Sequence, residues 1–271
     1  MGADEAVRVE SQGPRLVVSF DSPGSKNALS TAELDTIDAA LAKAAEDSTI
    51  RLMVIRSAVD GVFCAGADLR ELQGFDRAAA EQFTRRGQAV FRRIETSSKP
   101  VIAVVDGFAL GGGLELCLAS ALMICSSRSR FGLPEAKLGL IPGFGGTQRL
   151  TRAIGRQKAL RIMLTGELLS AEEMSRLGLL ADEPSAPDAL DEDLDALCQQ
   201  IENASPSALA SILRSTATAL DASMSTGLQL ESWFALAAQV SDDGQEGMAA
   251  FLGKRDPAFL GLTFAATDEL A

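Results

Sequence analysis

The run Val101-Ile102-Ala103-Val104-Val105 constrains the fold most. Five apolar, mostly β-branched residues leave no position to face water, so the segment reads as a strand covered on both faces, as in a parallel sheet flanked by helices. Lys99-Pro100 stops the helical pattern of residues 77–95, where Phe83, Val90, Phe91 and Ile94 recur among charges. A second such run, 121–125, follows a short helix-compatible segment. Upstream, 15–20 is a strand ended by the turn signal Asp21-Ser22-Pro23-Gly24, and 52–56 is another. Between them Ser30 and Glu33 have capping-box spacing, and Leu34, Ile37, Leu41 and Ala45 follow at helical intervals to about residue 46. Residues 61–66 read as a loop. Alternating strands and helices predict an α/β core.

Beyond Gly146 the β signal fades. Residues 147–164, 170–177, 188–203, 207–220 and 228–240 read as helices, with a polar break at 182–187. Their apolar positions, such as Leu209, Ile212, Leu213, Trp233, Phe234 and Leu236, suit either the core or a neighbouring subunit. A length of 271 residues buries a core without staples.

Composition narrows the chemistry. There is no histidine and no tyrosine, which excludes a Ser-His-Asp triad, a Cys-His pair, a histidine zinc site and a tyrosine acid within one chain. Proton transfer falls to Asp, Glu, Lys or Cys. A net charge of −12 opposes broad nucleic-acid binding. Cys64, Cys117, Cys125 and Cys198 form neither a C-x-x-C pair nor a metal-ligand spacing and read as reduced thiols, so no metal site is expected. Residues 1–10 carry Asp4, Glu5 and Glu10 against Arg8, unlike a secretory signal or an Arg-rich transit peptide. Asp106, Glu115 and the glycines interrupt the apolar stretch 101–125, which reads as buried core and not as a membrane span.

Three segments carry candidate chemistry. In Gly107-Phe108-Ala109-Leu110-Gly111-Gly112-Gly113-Leu114-Glu115 a strand runs into glycines and then a helix. That geometry either presents backbone N–H groups to a ligand or is a packing turn. Glu115 lies in an apolar stretch, costly unless it is partnered, functional or turned to solvent. Glu135 follows Pro134 in a similarly apolar context. In Phe63-Cys64-Ala65-Gly66-Ala67-Asp68-Leu69 small residues allow close backbone approach, and Asp68 suits a helix cap. Cys64 has no histidine to activate it.

Together with Leu133-Pro134-Glu135 and Leu140-Ile141-Pro142-Gly143-Phe144-Gly145-Gly146-Thr147-Gln148-Arg149-Leu150, these segments resemble the enoyl-CoA hydratase/isomerase (crotonase) family in order and spacing, over about residues 15–261. Residues 55–71 look most like its methylglutaconyl-CoA hydratase branch. The resemblance implies an α/β fold: a crotonase-like spiral of ββα units over 1–200 and a C-terminal helical trimerisation region over 201–271, assembling as a homotrimer or a hexamer of paired trimers. It implies that the N–H groups of Ala67 and Gly112 form an oxyanion hole. Ala28, Ala65, Asp68, Leu69, Gly111 and Pro134 would line the acyl-CoA path, and Glu115 and Glu135 would be the catalytic pair, with no cofactor beyond the CoA of the substrate.

In the resembling enzymes a double-bond isomerase works with a single glutamate at the Glu135 position, whereas hydration uses both. Syn hydration of a 2-enoyl-CoA is therefore the expected reaction, with 3-enoyl isomerisation second. A non-catalytic acyl-CoA- or RNA-binding scaffold comes last. The helix at 31–46 carries Glu33, Asp35, Asp38 and Glu46 against Lys43 and repels phosphates, so no nucleic-acid partner is expected. Lys26, Arg70, Lys254 and Arg255 are the local cations considered for the CoA phosphates. The reduced thiols fit the cytoplasm, or the mitochondrial matrix after removal of a presequence.

Overall fold

The chain builds its core by repeating one step: a long strand, a short strand, then a helix or turn. The structure, a computed structural model, describes residues 6–219 and 221–261. Residues 1–5, Leu220 at the end of the helix read at 207–220, and the 262–271 end of the C-terminal region lie outside the described residues.

Strands β1 (Val7–Gln12) and β2 (Arg15–Phe20) pair antiparallel as an opening hairpin. Helix α1 (Thr31–Glu46) starts at the expected capping box, with Ser30 N donating to Glu33 Oε2 at 2.8 Å, and buries Leu34, Ile37, Ala40, Leu41 and Ala44. The repeating step follows three times. First come β3 (Leu52–Ser57), β4 (Val62–Cys64), α2 (Leu69–Gln73) and α3 (Arg77–Glu95), then β5 (Val101–Val105), β6 (Phe108–Leu110) and α4 (Gly112–Ala119). The third has β7 (Leu122–Cys125), β8 (Arg130–Gly132) and a 3-10 turn (Glu135–Leu138).

The long strands form a sheet in the order β1-β2-β3-β5-β7, parallel from β2 onward. The short strands form a second, parallel sheet, β4-β6-β8. After α5 (Gly146–Ile154) and α6 (Arg156–Thr165), β9 (Leu169–Ser170) closes its edge antiparallel to β8, followed by α7 (Ala171–Arg176). This is the ββα spiral expected from the resemblance.

The wholly apolar 101–105 run has the predicted cause. Ala103 and Val105 face the main core with Val18, Ile55 and Phe131, whereas Ile102 and Val104 face a second layer of Val17, Val54 and Ile124. That layer is covered by Leu190, Leu194 and Cys198 of α8 (Leu190–Glu202). Arg51 and Arg15 tie α8 to the sheet: Arg51 Nη2 donates to the carbonyls of Glu202 and Ala204, and Arg15 pairs with Glu202 and Asp195. Helices α9 (Pro206–Ala219), α10 (Met224–Val240) and α11 (Asp242–Gly253) complete the described chain. Ile212, Trp233 and Leu236 on them are exposed in the single chain.

Two readings are corrected. Residues 61–66 contain β4, too short to show a period of two. The single helix at 147–164 is two, because Gly155 at φ 79° and ψ 154° breaks the ladder between α5 and α6. Four further short elements, β1, β6, β8 and β9, and the helix α11, carried no signal recognised in the sequence.

Candidate active site

The parallel pairing of β4, β6 and β8 brings their C-terminal ends together, and each delivers one part of the site. From these ends run residues 65–68, 111–112 and 133–135, in the position where parallel α/β sheets gather ligands. Glycine permits the approach. At Gly66, φ 102°, a β-carbon would lie 3.1 Å from Leu110 O and 3.3 Å from Gly112 N. At Gly111, φ 51°, it would lie 3.0 Å from Glu135 Oε1. These positive φ values strain any residue with a side chain.

Two backbone donors are left over. Residue 67 bridges Leu29 as an isolated parallel strand: Leu29 N donates to Gly66 O at 2.8 Å and Asp68 N to Leu29 O at 2.9 Å, so the intervening Ala67 N–H points the other way. Gly112 opens α4, where no preceding turn supplies an acceptor. Among the described residues neither N–H donates to a protein group. Gly112 N lies against Gly66, 3.3 Å from a β-carbon built there, and the N-terminal end of α4 adds its positive dipole.

Glu115 lies one turn into α4, 1% exposed. Its Oε1 accepts hydrogen bonds from Phe144 N at 2.8 Å and Gly146 N at 2.7 Å, which leaves Oε2 for another partner. Gly146 leaves room for this bond, since a β-carbon there would sit 3.0 Å from Oε1 and press the carboxylate aside. Burial pushes the Glu115 carboxyl up to about 7, the two N–H groups oppose that rise, and the charge of Glu135 adds to it. Glu135 begins the 3-10 turn after Pro134, which Lys137 anchors through a 2.7 Å bond from Nζ to Gly166 O. It is half-buried, burial raises its pKa as well, and its buried Oε2 has no hydrogen-bond partner among the described residues. An unpaired buried acceptor costs about 1–3 kcal/mol, so this oxygen does not add to stability.

The ring of Phe144 packs against Gly112, whose β-carbon would lie 3.3 Å from it. It also continues an aromatic row, with Phe83 at 5.4 Å and Phe91 at 5.3 Å, and Phe75 beyond Phe83. Space for the ring exists because residue 87 is glycine, where a β-carbon would approach it to 2.3 Å.

The remaining sequence candidates fall around this centre. Ala28 is half-buried beside Leu29, and Ala65 is exposed, its N–H donating to Lys26 O at 3.1 Å. Gly111 is buried against Glu135 and Pro134 is half-buried. Asp68 caps α2 through Arg70 N at 2.8 Å, and Leu69 is exposed on that helix. Of the cations, Lys26 and Arg70 are exposed beside this segment, whereas Arg255 is engaged by Glu246 at 2.6 and 2.7 Å. The four cysteines are free and buried, and burial pushes the Cys64 thiol up to about 12, unsuited to nucleophilic attack.

Sequence reasoning gave no role to Phe144, Gly146 or Asn27. Asn27, φ 55°, accepts from Ser22 N and donates to Ser57 Oγ and Phe63 O, stitching the 26–29 strip to β4. Only the dense glycine motif at 143–146 hinted at the first two. Among the described residues no cluster of His, Cys, Asp and Glu could hold a metal ion, and no helix is long and apolar enough to cross a membrane.

Such a site can stabilise negative charge growing on a carbonyl oxygen while two carboxyls move protons beside it. Spiral, donor pair and glutamates define a class: the chain belongs to the enoyl-CoA hydratase/isomerase family, whose profile matches residues 11–261. It is 36% identical over 246 residues to the probable mitochondrial enoyl-CoA hydratase 2 of Arabidopsis thaliana, covering 91% of this chain and 81% of that one. It is 34% identical to the short-chain-enoyl-CoA hydratase of Clostridium acetobutylicum, covering 92% and 95%. The crystal structure of enoyl-CoA hydratase from Bacillus anthracis superposes with a TM-score of 0.90 at 31% identity, covering 95% of this chain and all of that one.

Proposed function

We propose that the protein is an enoyl-CoA hydratase, adding water syn across the double bond of a 2-enoyl-CoA thioester. The observation that carries this is the placement of Glu135 against Gly111 and of Glu115 on the helix that Gly112 opens, beside two N–H groups with no protein acceptor among the described residues. Ala67 N–H and Gly112 N–H donate to the thioester oxygen, and as water attacks C3 the charge spreading onto that oxygen is met by donors already in place. Each such donor is worth about 3 kcal/mol in the transition state.

Glu115, with Oε1 fixed by Phe144 and Gly146, takes a proton from the attacking water through Oε2. Glu135 delivers a proton to C2. Burial raises the pKa of both carboxyls, which favours the protonated acid that Glu135 needs in order to deliver a proton to C2. No cofactor is required beyond the CoA of the substrate, and the exposed Lys26 and Arg70 are the cations proposed to meet its phosphates.

The second reading, isomerisation of a 3-enoyl-CoA, is favoured by one feature. The unpaired Oε2 of Glu135 is sufficient to take a proton from C2 and return it to C4, with the charge on the thioester oxygen held by the donor pair in between. The resemblance of residues 55–71 to the methylglutaconyl-CoA hydratase branch adds branched dicarboxylic thioesters to straight-chain ones as candidate substrates, and with them branched-chain amino acid degradation beside fatty acid metabolism. The exposed apolar faces of α9 and α10 support a homotrimer or a dimer of trimers. The compartment proposed is the cytoplasm, or the mitochondrial matrix if a presequence is removed.

Hydration of crotonyl-CoA by the purified protein tests the reading, alongside a panel of straight-chain, branched, dicarboxylic and 3-enoyl thioesters. Glu115→Gln and Glu135→Gln are each expected to lose at least about a hundredfold in kcat while staying folded. Conversion of the 3-enoyl member alone would replace hydration by isomerisation.

A further inference from the structure

The two hydrogen bonds that hold Glu115 come from a turn with its own support. Nothing within the turn caps α5: Gly145, at φ 117°, is its N-cap and contributes no side-chain bond. Instead Arg149, one turn into the helix, folds back. Its Nη1 donates to Phe144 O at 3.0 Å, and the guanidinium lies so close over Gly145 that a β-carbon there would be 2.3 Å from Nη1. Glu95, the last residue of α3, grips the other edge, with Nε to Oε1 at 3.1 Å and Nη2 to Oε2 at 3.2 Å. Both side chains are largely buried, and a two-bond fork fixes the plane of the guanidinium as a single bond would not.

We infer that Glu95 and Arg149 are a positioning pair for the hydration reaction, fixing the 144–146 turn so that its N–H groups hold Glu115 Oε1 and leave Oε2 aimed for the attacking water. Phe144 is the link: its carbonyl accepts from Arg149 and its N–H donates to Glu115. The pair deepens the hydratase reading and rests on it. Neither residue belongs to the glutamate site. Both line a separate cavity of about 640 Å³ with Arg92, Gln148 and Arg152, to which neither Glu115 nor Glu135 contributes.

The charges around the pair are set by its neighbours. Arg92 reaches Glu95 at 2.8 Å and Asp221 at 3.5 Å, and Arg152 reaches Asp221 at 3.8 Å. Arg149 and Arg92 together hold the Glu95 carboxyl below the usual range against its burial. The charged groups acting on Glu115 itself are Glu135 from the 3-10 turn and Arg149 from α5. Losing Arg149 therefore loosens the N–H pair and removes a cation, and both changes favour the protonated form of Glu115.

The experiment compares the full-length wild type with Arg149→Met, Arg149→Lys and Glu95→Gln on crotonyl-CoA across pH, with thermal denaturation in parallel. Methionine removes charge and fork, and lysine restores the charge alone. Arg149→Met should lower kcat about tenfold to a hundredfold with KM changed by less than about threefold, as expected for a misplaced catalytic group. It should also move the acid limb of kcat upward by at least about half a pH unit. Arg149→Lys should return the limb toward the wild-type position without restoring kcat, and Glu95→Gln should lower kcat in the same direction. A folded Arg149→Met enzyme with lowered melting temperature but wild-type kcat and limb would overturn the inference; if that variant does not fold, wild-type kcat and limb in both Arg149→Lys and Glu95→Gln would do so. The infrared carboxyl band of Glu115, assigned by its loss in Glu115→Gln, reports the same titration without turnover. Absence of hydration by the wild type would sink the hydratase reading, whereas an unshifted band in the folded position-149 variants, or in Glu95→Gln and Arg149→Lys if methionine prevents folding, would sink the positioning role on its own.

Discussion

Glu115 carries its charge at a cost that the fold offsets only in part. Its carboxyl moves from an ordinary value of 4.5 to about 7 because burial outweighs the two N–H bonds. For a carboxyl with a raised pKa the folded state binds more protons than the unfolded state between those values. Stability therefore falls as pH rises from about 4.5 to about 7, and the cost is complete above that window. Glutamine keeps an oxygen for Phe144 N and Gly146 N without the charge, so Glu115→Gln should be more stable than wild type by about 1–3 kcal/mol at pH 8 and equal to it near pH 4, read by urea denaturation. Rate and stability then move in opposite directions at one residue. Turnover should itself rise with pH as Glu115, whose carboxyl burial pushes up to about 7, becomes able to accept a proton, read as the acid limb of a kcat profile of the wild type.

At the scale of elements, three strand ends meet because glycines let backbones touch. Gly111→Ala should test this: positive φ costs about 1 kcal/mol, and a β-carbon 3.0 Å from Glu135 Oε1 displaces the carboxyl, so kcat should fall about a hundredfold with a small loss of melting temperature. Much of this geometry was legible beforehand. The capping box at Ser30 and Glu33, the apolar run of β5 and the amphipathic pattern of α3 all carry local signals, and the structure has each of them. The short strands β4, β6 and β8 were not legible, since three residues show no period and their pairing is decided by partners distant in sequence. For the same reason Glu115 and Glu135 stood out as isolated acids in apolar surroundings, and resemblance alone joined them. Arg149 gave no signal of its own, because its partners Glu95 and Phe144 come together only through packing of α3 against the turn.

The whole molecule separates an acidic surface from a site that binds a polyanion. α1 illustrates how: its Asp35 and Asp38 pair with Arg86 and Arg93 of α3, so the acidic helix is partly spent within the fold. The α9–α10 pair leaves Ile212, Trp233 and Leu236 exposed, and the trimer proposed above would cover them. Leu236→Glu is expected to shift the protein from the proposed trimer toward monomer in sedimentation, and an unchanged mass would remove α10 from the interface.

The central claim is that both carboxyls act on one face of a substrate whose thioester oxygen is gripped by Ala67 and Gly112. Hydration of crotonyl-CoA in deuterium oxide tests it directly, with the product read by proton NMR. The account predicts a single diastereomer in which the deuterium at C2 and the hydroxyl at C3 have added from the same side, and a mixture or an anti product would contradict it.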